Sequence, residues 1–175
     1  VMPSSPGDAK GLLMESIIDP NPVIYIEHRW LHNMEGTVPS GDFFIPLGKA
    51  KVIENGRDLT IVGTSIFVPE AIRAIKYLNK ENINAELIDL RTVRPIDYDT
   101  IIQSVRKTKR LLVLDIGAKT GSIAGEIIAE VASSIGNSLI SNPERICLPD
   151  FSVPTSFGLT KDFYPDFRNI VSKVY

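Results

Sequence analysis

The sequence predicts an open α/β fold built on parallel strands, and three observations predict it. Between Asp58 and Ile116, three apolar runs (DLTIVGT, AELIDL and RLLVLDI) alternate with two amphipathic runs, PEAIRAIKYLNKEN and DYDTIIQSVRKT. Each apolar run is about six residues of mostly Ile, Leu and Val, too short for a buried helix, so it reads as a strand covered on both faces. The amphipathic runs place Ala71, Ile72, Ile75 and Leu78, then Tyr98, Ile101, Ile102 and Val105, at helical spacing. Strands joined through such helices run side by side in one direction, with right-handed crossovers.

Taken in order, VMP at residues 1–3 resembles the end of a strand, and Ala9 to Ile18 reads as a helix with Leu12, Leu13, Ile17 and Ile18 on its inner side. The run DPNP (Asp19 to Pro22) stops that helix, because a residue before proline disfavours helical geometry and proline cannot continue the ladder. Val23 to Ile26 reads as a buried strand. From Glu27 to Phe44 the pattern dissolves into polar and aromatic residues with Gly36, Pro39 and Gly41, the composition of a linker and a domain boundary. Pro46 to Glu54 begins a second unit with a short strand, and Asn55-Gly56 predicts a turn that pairs it antiparallel with the strand at Leu59. Pro69 suits the first position of the first crossover helix, and Asp97 suits the cap of the second. Ile123, Ile127, Ile128, Val131 and Ile135 form one helical stripe that ends at Gly136-Asn137. Arg145 to Leu148 reads as the last strand, DFSVPTSFG as irregular chain, and Phe167, Ile170, Val171 and Val174 as a final helix.

Composition narrows the function classes. The 175 residues suffice for one good core and a smaller appendage. Hydrophobic residues make up 43% and charged residues 23%, with a net charge of -2, so no basic field recommends nucleic acid. No apolar run approaches the roughly 20 residues of a membrane span. The lone Cys147 sits in an apolar run, as a buried inert thiol does, and fits a reducing compartment. Val1, in the middle of a strand-like run, leads us to expect a piece of a longer polypeptide.

Four features carry candidate chemistry. GAKTGSIAGE follows a strand and opens a helix, the place for a phosphate cradle, but Gly117, Gly121, Gly125 and Lys119 do not fall at the spacing of either common loop. A tight turn with close helix packing is the plainer reading. His28 and His32 lie four apart beside Glu27, a metal-ligand spacing without an obvious third ligand, and a loop facing a cleft or interface is the alternative. At the helix end Ser16 to Asn21, late carbonyls lack intrahelical partners and Asp19 and Asn21 add oxygens, so a hard cation can be held there; a plain helix stop with turn hydrogen bonds is the simpler account. Asp89, Asp97 and Asp115 stand at strand ends or caps, with Asp115 at the edge where open parallel sheets bind ligands. No Ser, His, Asp series is apparent, and no complete active site emerges.

Laid out this way, the chain resembles the C-terminal part of the beta subunit of the thiamin-diphosphate-dependent decarboxylating component of 2-oxo acid dehydrogenases, of the pyruvate or branched-chain type, a transketolase relative. The resemblance rests on PSSPGDAKGLL (3–13), IIDPNPVIYIEH (17–28), IPLGKAKVIENGRDLTIV (45–62), AELIDLRTVRPID (85–97) and PDFSVP (149–154). It implies that residues 1–30 end a pyrimidine-binding domain, 31–44 link, and 45–175 form a transketolase C-terminal domain: a three-layer α/β/α fold with a five-stranded, mostly parallel sheet whose first strand is antiparallel. It implies oxidative decarboxylation of a 2-oxo acid with acyl transfer to a lipoyl group. Thiamin diphosphate and magnesium would be bound by residues upstream of Val1, leaving no catalytic or cofactor-binding residue in this stretch. A potassium ion would map to Ser16, Ile17, Asp19 and Asn21.

The implied partners are an alpha subunit or fused alpha region, a second beta subunit and a lipoyl acyltransferase core docking on Pro149 to Tyr175, with neither nucleic acid nor membrane. The implied place is the cytoplasm, or the mitochondrial matrix in a eukaryote. Asp115-Ile116-Gly117, SIAGEI (122–127) and the tail PTSFGLTKDFYP depart from the common pattern. They keep a transketolase-like or deoxyxylulose-phosphate-synthase-like carbon transfer open. A third reading is a dimerisation or docking module without catalytic residues.

Overall fold

Leu59, Thr60, Ile61, Val62 and Gly63 are buried without exception, as are Ala85 to Asp89, which is what central strands covered on both faces require. The structure is a computed structural model that describes residues 1–175, with every side chain except that of Asp162. Its strands are β1 (Lys51–Glu54), β2 (Leu59–Gly63), β3 (Ala85–Asp89), β4 (Leu111–Ala118) and β5 (Glu144–Leu148). Its helices are α1 (Pro6–Ile18), α2 (Phe67–Leu78), α3 (Tyr98–Thr108), α4 (Ile123–Ile135), α5 (Phe157–Phe163) and α6 (Phe167–Val174). The strands form one sheet in the order β1-β3-β2-β4-β5, parallel throughout except for β1 against β3.

Alternation along the strands divides the core into two layers. Ile61, Leu87, Leu112 and Leu114 face α2 and α6, where Phe67, Ala71, Leu78 and Ile170 meet them. Val62, Ile88 and Val113 face α3 and α4, against Ile101, Val105, Ile127 and Val131. Thr60 points into this second layer, and its hydroxyl is satisfied by Ser104 and Thr108 at 2.7 Å each. The three-layer architecture expected from the resemblance is thus present.

Several local expectations need correction. β1 does not pair with β2: both edges of β2 are taken by β3 and β4, so the free edge open to β1 is that of β3. The connection crosses the start of β3 instead of turning back, with the amides of Arg57 and Asp58 donating to the Asn84 carbonyl at 3.0 and 3.1 Å. Gly56 is needed for this passage, since a Cβ there would stand 2.2 Å from the Ala85 backbone. α2 begins at Phe67, which puts Pro69 third in the helix; the amide missing there is still one of the first-turn donors that lack an intrahelical partner. Residues 157–163, expected in part to be irregular, form α5.

The N-terminal segment departs most. Of the four residues assigned to the inner side of α1, only Leu12 is buried, and Ile17 and Ile18 are 70% and 62% exposed. Val23 to Ile26 is extended but is neither a regular strand nor buried, Ile24 being 77% exposed. VMP likewise forms no regular strand. The cause is a shortage of neighbours: Val1 and its contacts Val23, Tyr25, Phe43, Ile45 and Leu47 cover a single stripe of α1. The two extended pieces touch through the Ile26 amide and the Val1 carbonyl, at 2.9 Å.

Candidate functional site

The motifs IPLGKA and DLRTVRPID, far apart in sequence, are two halves of one joint. The Gly48 amide donates to the Thr92 hydroxyl and the Ala50 amide to the Asp97 carboxylate, both at 3.1 Å. Gly48 has φ +75° and its missing Cβ leaves room for Pro95, which would otherwise stand 2.8 Å away. Asp97 also accepts from the Thr100 amide at 3.2 Å and caps α3 as expected. Burial works against its ionised form, but the amides of Ala50 and Thr100 and the Thr100 hydroxyl outweigh it and hold its pKa down.

From this joint a buried polar clasp reaches the N-terminal segment. The Met2 amide donates to the Arg91 carbonyl at 2.8 Å, the Ser4 hydroxyl donates to the Asp89 carboxyl, and the Arg91 guanidinium meets the Asp8 carboxylate at 2.5 Å. Arg91 adopts φ +58°, which turns its own amide back onto Asp89 at 2.9 Å. Asp89 is 0% exposed, and burial pushes its pKa up to about 6 against the pull of the Ser4 hydroxyl and the Arg91 amide. Asp8 Oδ2 and Arg91 Nε are buried without a partner.

The second polar region lies beyond the carboxyl ends of the parallel strands. β2 leads through α2 to β3 on one side and β4 through α4 to β5 on the other, so the connections diverge between β2 and β4. Crevices at such points are where open α/β sheets receive ligands. A cavity of about 830 Å³ opens here over Phe67, Ile116 and Leu148. Trp30 and Tyr164 form its aromatic wall with ring centres 4.9 Å apart, and His28 stands 5.3 Å from Trp30. The Glu70 carboxylate in this lining is occupied by Arg73 at 2.7 Å and by the Phe167 amide at 2.9 Å, and Asp166 is occupied by Arg168 at 2.5 Å.

The other candidates resolve as follows. His28 and His32 lie on a 3-10 turn (Arg29–Asn33, capped by His28), whose three-residue period does not align positions four apart. His28 Nδ1 accepts from the Trp30 amide at 3.2 Å, and burial, then the neighbouring His32, lower its pKa. Among the described residues, no three His, Cys, Asp or Glu side chains converge as metal ligands. The turn after β4 is held by protein carboxylates: Asp115 accepts from the amides of Gly117 and Ala124 at 3.0 and 3.4 Å, and Asp150 from that of Thr120 at 2.8 Å. A carboxylate thus stands where a phosphate cradle would need open amides. Cys147 is half-buried, donates to Ser122 at 3.5 Å, and burial raises its pKa, as for an inert thiol.

At the end of α1, Asp19 Oδ1 accepts from the amide and side chain of Asn21 at 2.8 and 3.0 Å, and the Ser16 hydroxyl donates to the Leu12 carbonyl at 2.6 Å. The clasp of Ser4, Asp8, Asp89 and Arg91 and the Trp30–Tyr164 wall escaped the sequence reading. The paired clasp residues lie 83 and 85 positions apart, and the only local signal is Asp89-Leu90-Arg91 at a strand end.

The joint and sheet described above coincide with a known sequence profile, that of the transketolase C-terminal domain, which matches residues 48–170. The chain belongs to this family. It is 41% identical over 172 residues to the beta subunit of acetoin:2,6-dichlorophenolindophenol oxidoreductase from Cupriavidus necator, covering 98% of this chain and 51% of that protein. It is 42% identical over 157 residues to the beta subunit of the pyruvate dehydrogenase E1 component from Bacillus subtilis, covering 89% and 48%. It therefore spans about half the length of the curated relatives it matches. Among solved structures, a split-gene transketolase described as an inactive beta4 tetramer superposes with a TM-score of 0.66 at 27% identity, over 79% of this chain and 45% of that one. The resemblance to E1-type beta subunits, stated from five motifs, thus extends over nearly the whole sequence, and transketolase itself is the more distant relative. No helix among the described residues is long and apolar enough to cross a membrane.

Proposed function

We propose that this chain is the C-terminal half of the beta subunit of a thiamin-diphosphate-dependent E1-type oxidoreductase acting on a 2-oxo acid or on the related acyloin, acetoin. The observation that carries this reading is the alignment of 98% of the chain with an E1-type beta subunit. In the 2-oxo acid case the acyl group passes to a lipoyl group on an acyltransferase core. The thiamin cofactor supplies the electron sink for carbanion chemistry. The reading assigns the ligands of thiamin diphosphate and magnesium to the rest of the enzyme.

The share of these residues is to hold surfaces in place. The exposed Ile17, Ile18 and Ile24 form an apolar seat for the remainder of a pyrimidine-binding domain, and the clasp fixes the angle between that domain and the sheet. Pro149 to Tyr175, with Phe151 and Phe157 exposed at 66% and 86%, is assigned to subunit and acyltransferase contacts. Alongside these partners stand an alpha subunit and a second beta subunit, in the cytoplasm or the mitochondrial matrix. Ser16, Ile17, Asp19 and Asn21 are assigned to a potassium ion: late helix carbonyls and two amide or carboxylate side chains are the hard oxygen donors it takes.

The test is to co-express the complete beta subunit with its alpha subunit and follow reduction of dichlorophenolindophenol with pyruvate, branched-chain 2-oxo acids and acetoin, with thiamin diphosphate and magnesium present. Cofactor-dependent turnover of one of these supports the assignment, and turnover of ketose phosphates alone refutes it. The 175-residue chain by itself is expected to show no rise in melting temperature with the same cofactors.

A further inference from the structure

β5 closes one side of the sheet: it pairs with β4 and, among the described residues, with no other strand. The Leu148 carbonyl accepts from the Lys119 amide, which follows β4, at 2.9 Å, so Leu148 turns its backbone groups inward. Those groups alternate in direction along a strand, so Glu144 and Ile146 also face β4 while Arg145 and Cys147 face out. Among the described residues, the amides and carbonyls of Arg145 and Cys147 have no hydrogen-bond partner, and both residues are only partly buried. Two donors and two acceptors are thus presented along one short edge.

The helix beside this edge has a flank that permits close approach. At about 100° per residue, Gly125, Ala129, Ala132 and Gly136 fall on one side of α4 and its C-cap. Gly125 places that flank on the β5 side, since a Cβ there would stand 3.0 Å from the Arg145 guanidinium. The opposite flank faces α3: Ile123 packs in one cluster with Ile101, and Ser134 shares a hollow with Arg106. Ala129 and Ala132 are exposed and uncharged.

We infer that a second copy of this chain adds its own β5 to this one, antiparallel about a two-fold axis at Ile146, so that the sheet continues and the two α4 helices lie side by side. The register follows from the outward groups. With the axis at Ile146, Arg145 of each copy stands opposite Cys147 of the other, and each such pair exchanges both of its amide–carbonyl bonds. An axis at Arg145 would bring two guanidinium groups face to face and set the Cys147 carbonyl against Pro143, which has no amide. An axis at Cys147 would set the Arg145 carbonyl against Pro149. Only the Ile146 axis matches every outward donor and acceptor, and the two prolines end the pairing on either side. Helices that flank the axis on one face of a continued sheet pack at about 8–10 Å, which small facing residues allow. The inference rests on the reading above only in taking the partner for a second beta subunit; the surface is read from this chain.

Sedimentation velocity of the 175-residue chain is expected to show a monomer–dimer equilibrium with a dissociation constant below about 100 μM. Ala129→Lys/Ala132→Lys changes two exposed residues of the facing flank and is expected to weaken the dimer by about tenfold or more, with an unaltered circular dichroism spectrum. Ser133→Lys, exposed on the same helix but off that flank, should leave it unchanged. In a Cys147→Ser background, Ile146→Cys places two thiols on the axis, where opposed residues have Cα atoms about 4.5 Å apart, and oxidised glutathione should link the chain into a covalent dimer. Arg145→Cys in the same background lies off the axis, beyond the reach of a disulfide, and should link little. Monomer alone at about 500 μM, a double variant that dimerises like the parent chain, or Arg145→Cys linking as readily as Ile146→Cys overturns the inference. The complete beta subunit assembled with its alpha subunit separates the two readings. Linking of its beta subunits through Ile146→Cys supports both, two beta subunits that do not link overturn the surface alone, and an enzyme with a single beta subunit overturns both.

Discussion

Replacing Asp89 by Asn should make the protein more stable at neutral pH, an unusual direction for the loss of a buried charge. Asp89 is 0% exposed, and burial raises its pKa from 3.8 to about 6, more than the Ser4 hydroxyl, the Arg91 amide and the Arg91 guanidinium recover. Between those two values the folded state holds a proton that the unfolded chain has released. The slope of stability with pH is then negative. This group's contribution is fully present below about pH 4 and is lost as pH rises through about 6. The difference of roughly two pKa units corresponds to about 3 kcal/mol at pH 7.5 as an upper bound. Asparagine keeps an acceptor for the Arg91 amide and a donor for the Ser4 oxygen, so the clasp can close without the charge. Urea midpoints of both proteins, followed through Trp30 from pH 4 to 8, give the comparison. The stability difference should be small at pH 4, grow by about 1.4 kcal/mol per pH unit between about 4 and 6 so that half of it is present near pH 5, and level off at as much as about 3 kcal/mol by pH 7.5. Taking the difference removes the opposing slopes of Asp97 and Asp166, whose pKa values are lowered in the fold. A difference that is flat with pH, or an Asn variant that is weaker at pH 7.5, would mean that the clasp favours the carboxylate and that burial is not the dominant influence.

Arg91→Met should cost about 4 kcal/mol, because it leaves the buried Asp8 carboxylate without its counter-ion, and a urea midpoint measures it. The same change paired with Asp8→Leu should recover much of that loss, and a double variant no better than the single would argue against the ion pair as the cause. Gly56→Ala should cost about 3 kcal/mol and shift amide exchange in β1 and β3 first, since the added carbon meets backbone that cannot step aside. Asp97→Ala should cost about 2 kcal/mol through loss of the α3 cap and of the partner of the Ala50 amide, and Asp97→Asn should restore part of it.

What the sequence disclosed follows from the range over which each force acts. The central strands and both crossover helices were legible because their apolar period is local: Ile61, Leu87 and Leu114 alternate with Val62, Ile88 and Val113 as the two layers demand. The partner of β1 was not, because choosing between β2 and β3 depends on which edges the later strands leave free. The Asn55-Gly56 pair misled for a related reason, as its glycine serves a close crossing instead of a tight reversal. The apolar residues of α1 signalled a covered face, but composition does not say which segment covers it. Asp89 and Asp115 were marked as residues at strand ends, and their roles differ through partners distant in sequence: Ser4 for one, the opening of α4 for the other. Motif spacing excluded the common phosphate loops, and the structure adds the reason, a carboxylate already seated on those amides.

The short antiparallel strand at the margin of the sheet has a consequence for how copies of this protein can meet. β1 has only four residues, its outer positions Lys51 and Glu54 are solvated and charged, and its register with β3 slips between Val52 and Glu54. A brief, kinked, charged border is a poor template for another chain's backbone. Growth of the sheet across that border into a polymer is thereby discouraged, which leaves the opposite edge at β5, the helix faces and the C-terminal segment as the surfaces through which oligomers of this family member can be built.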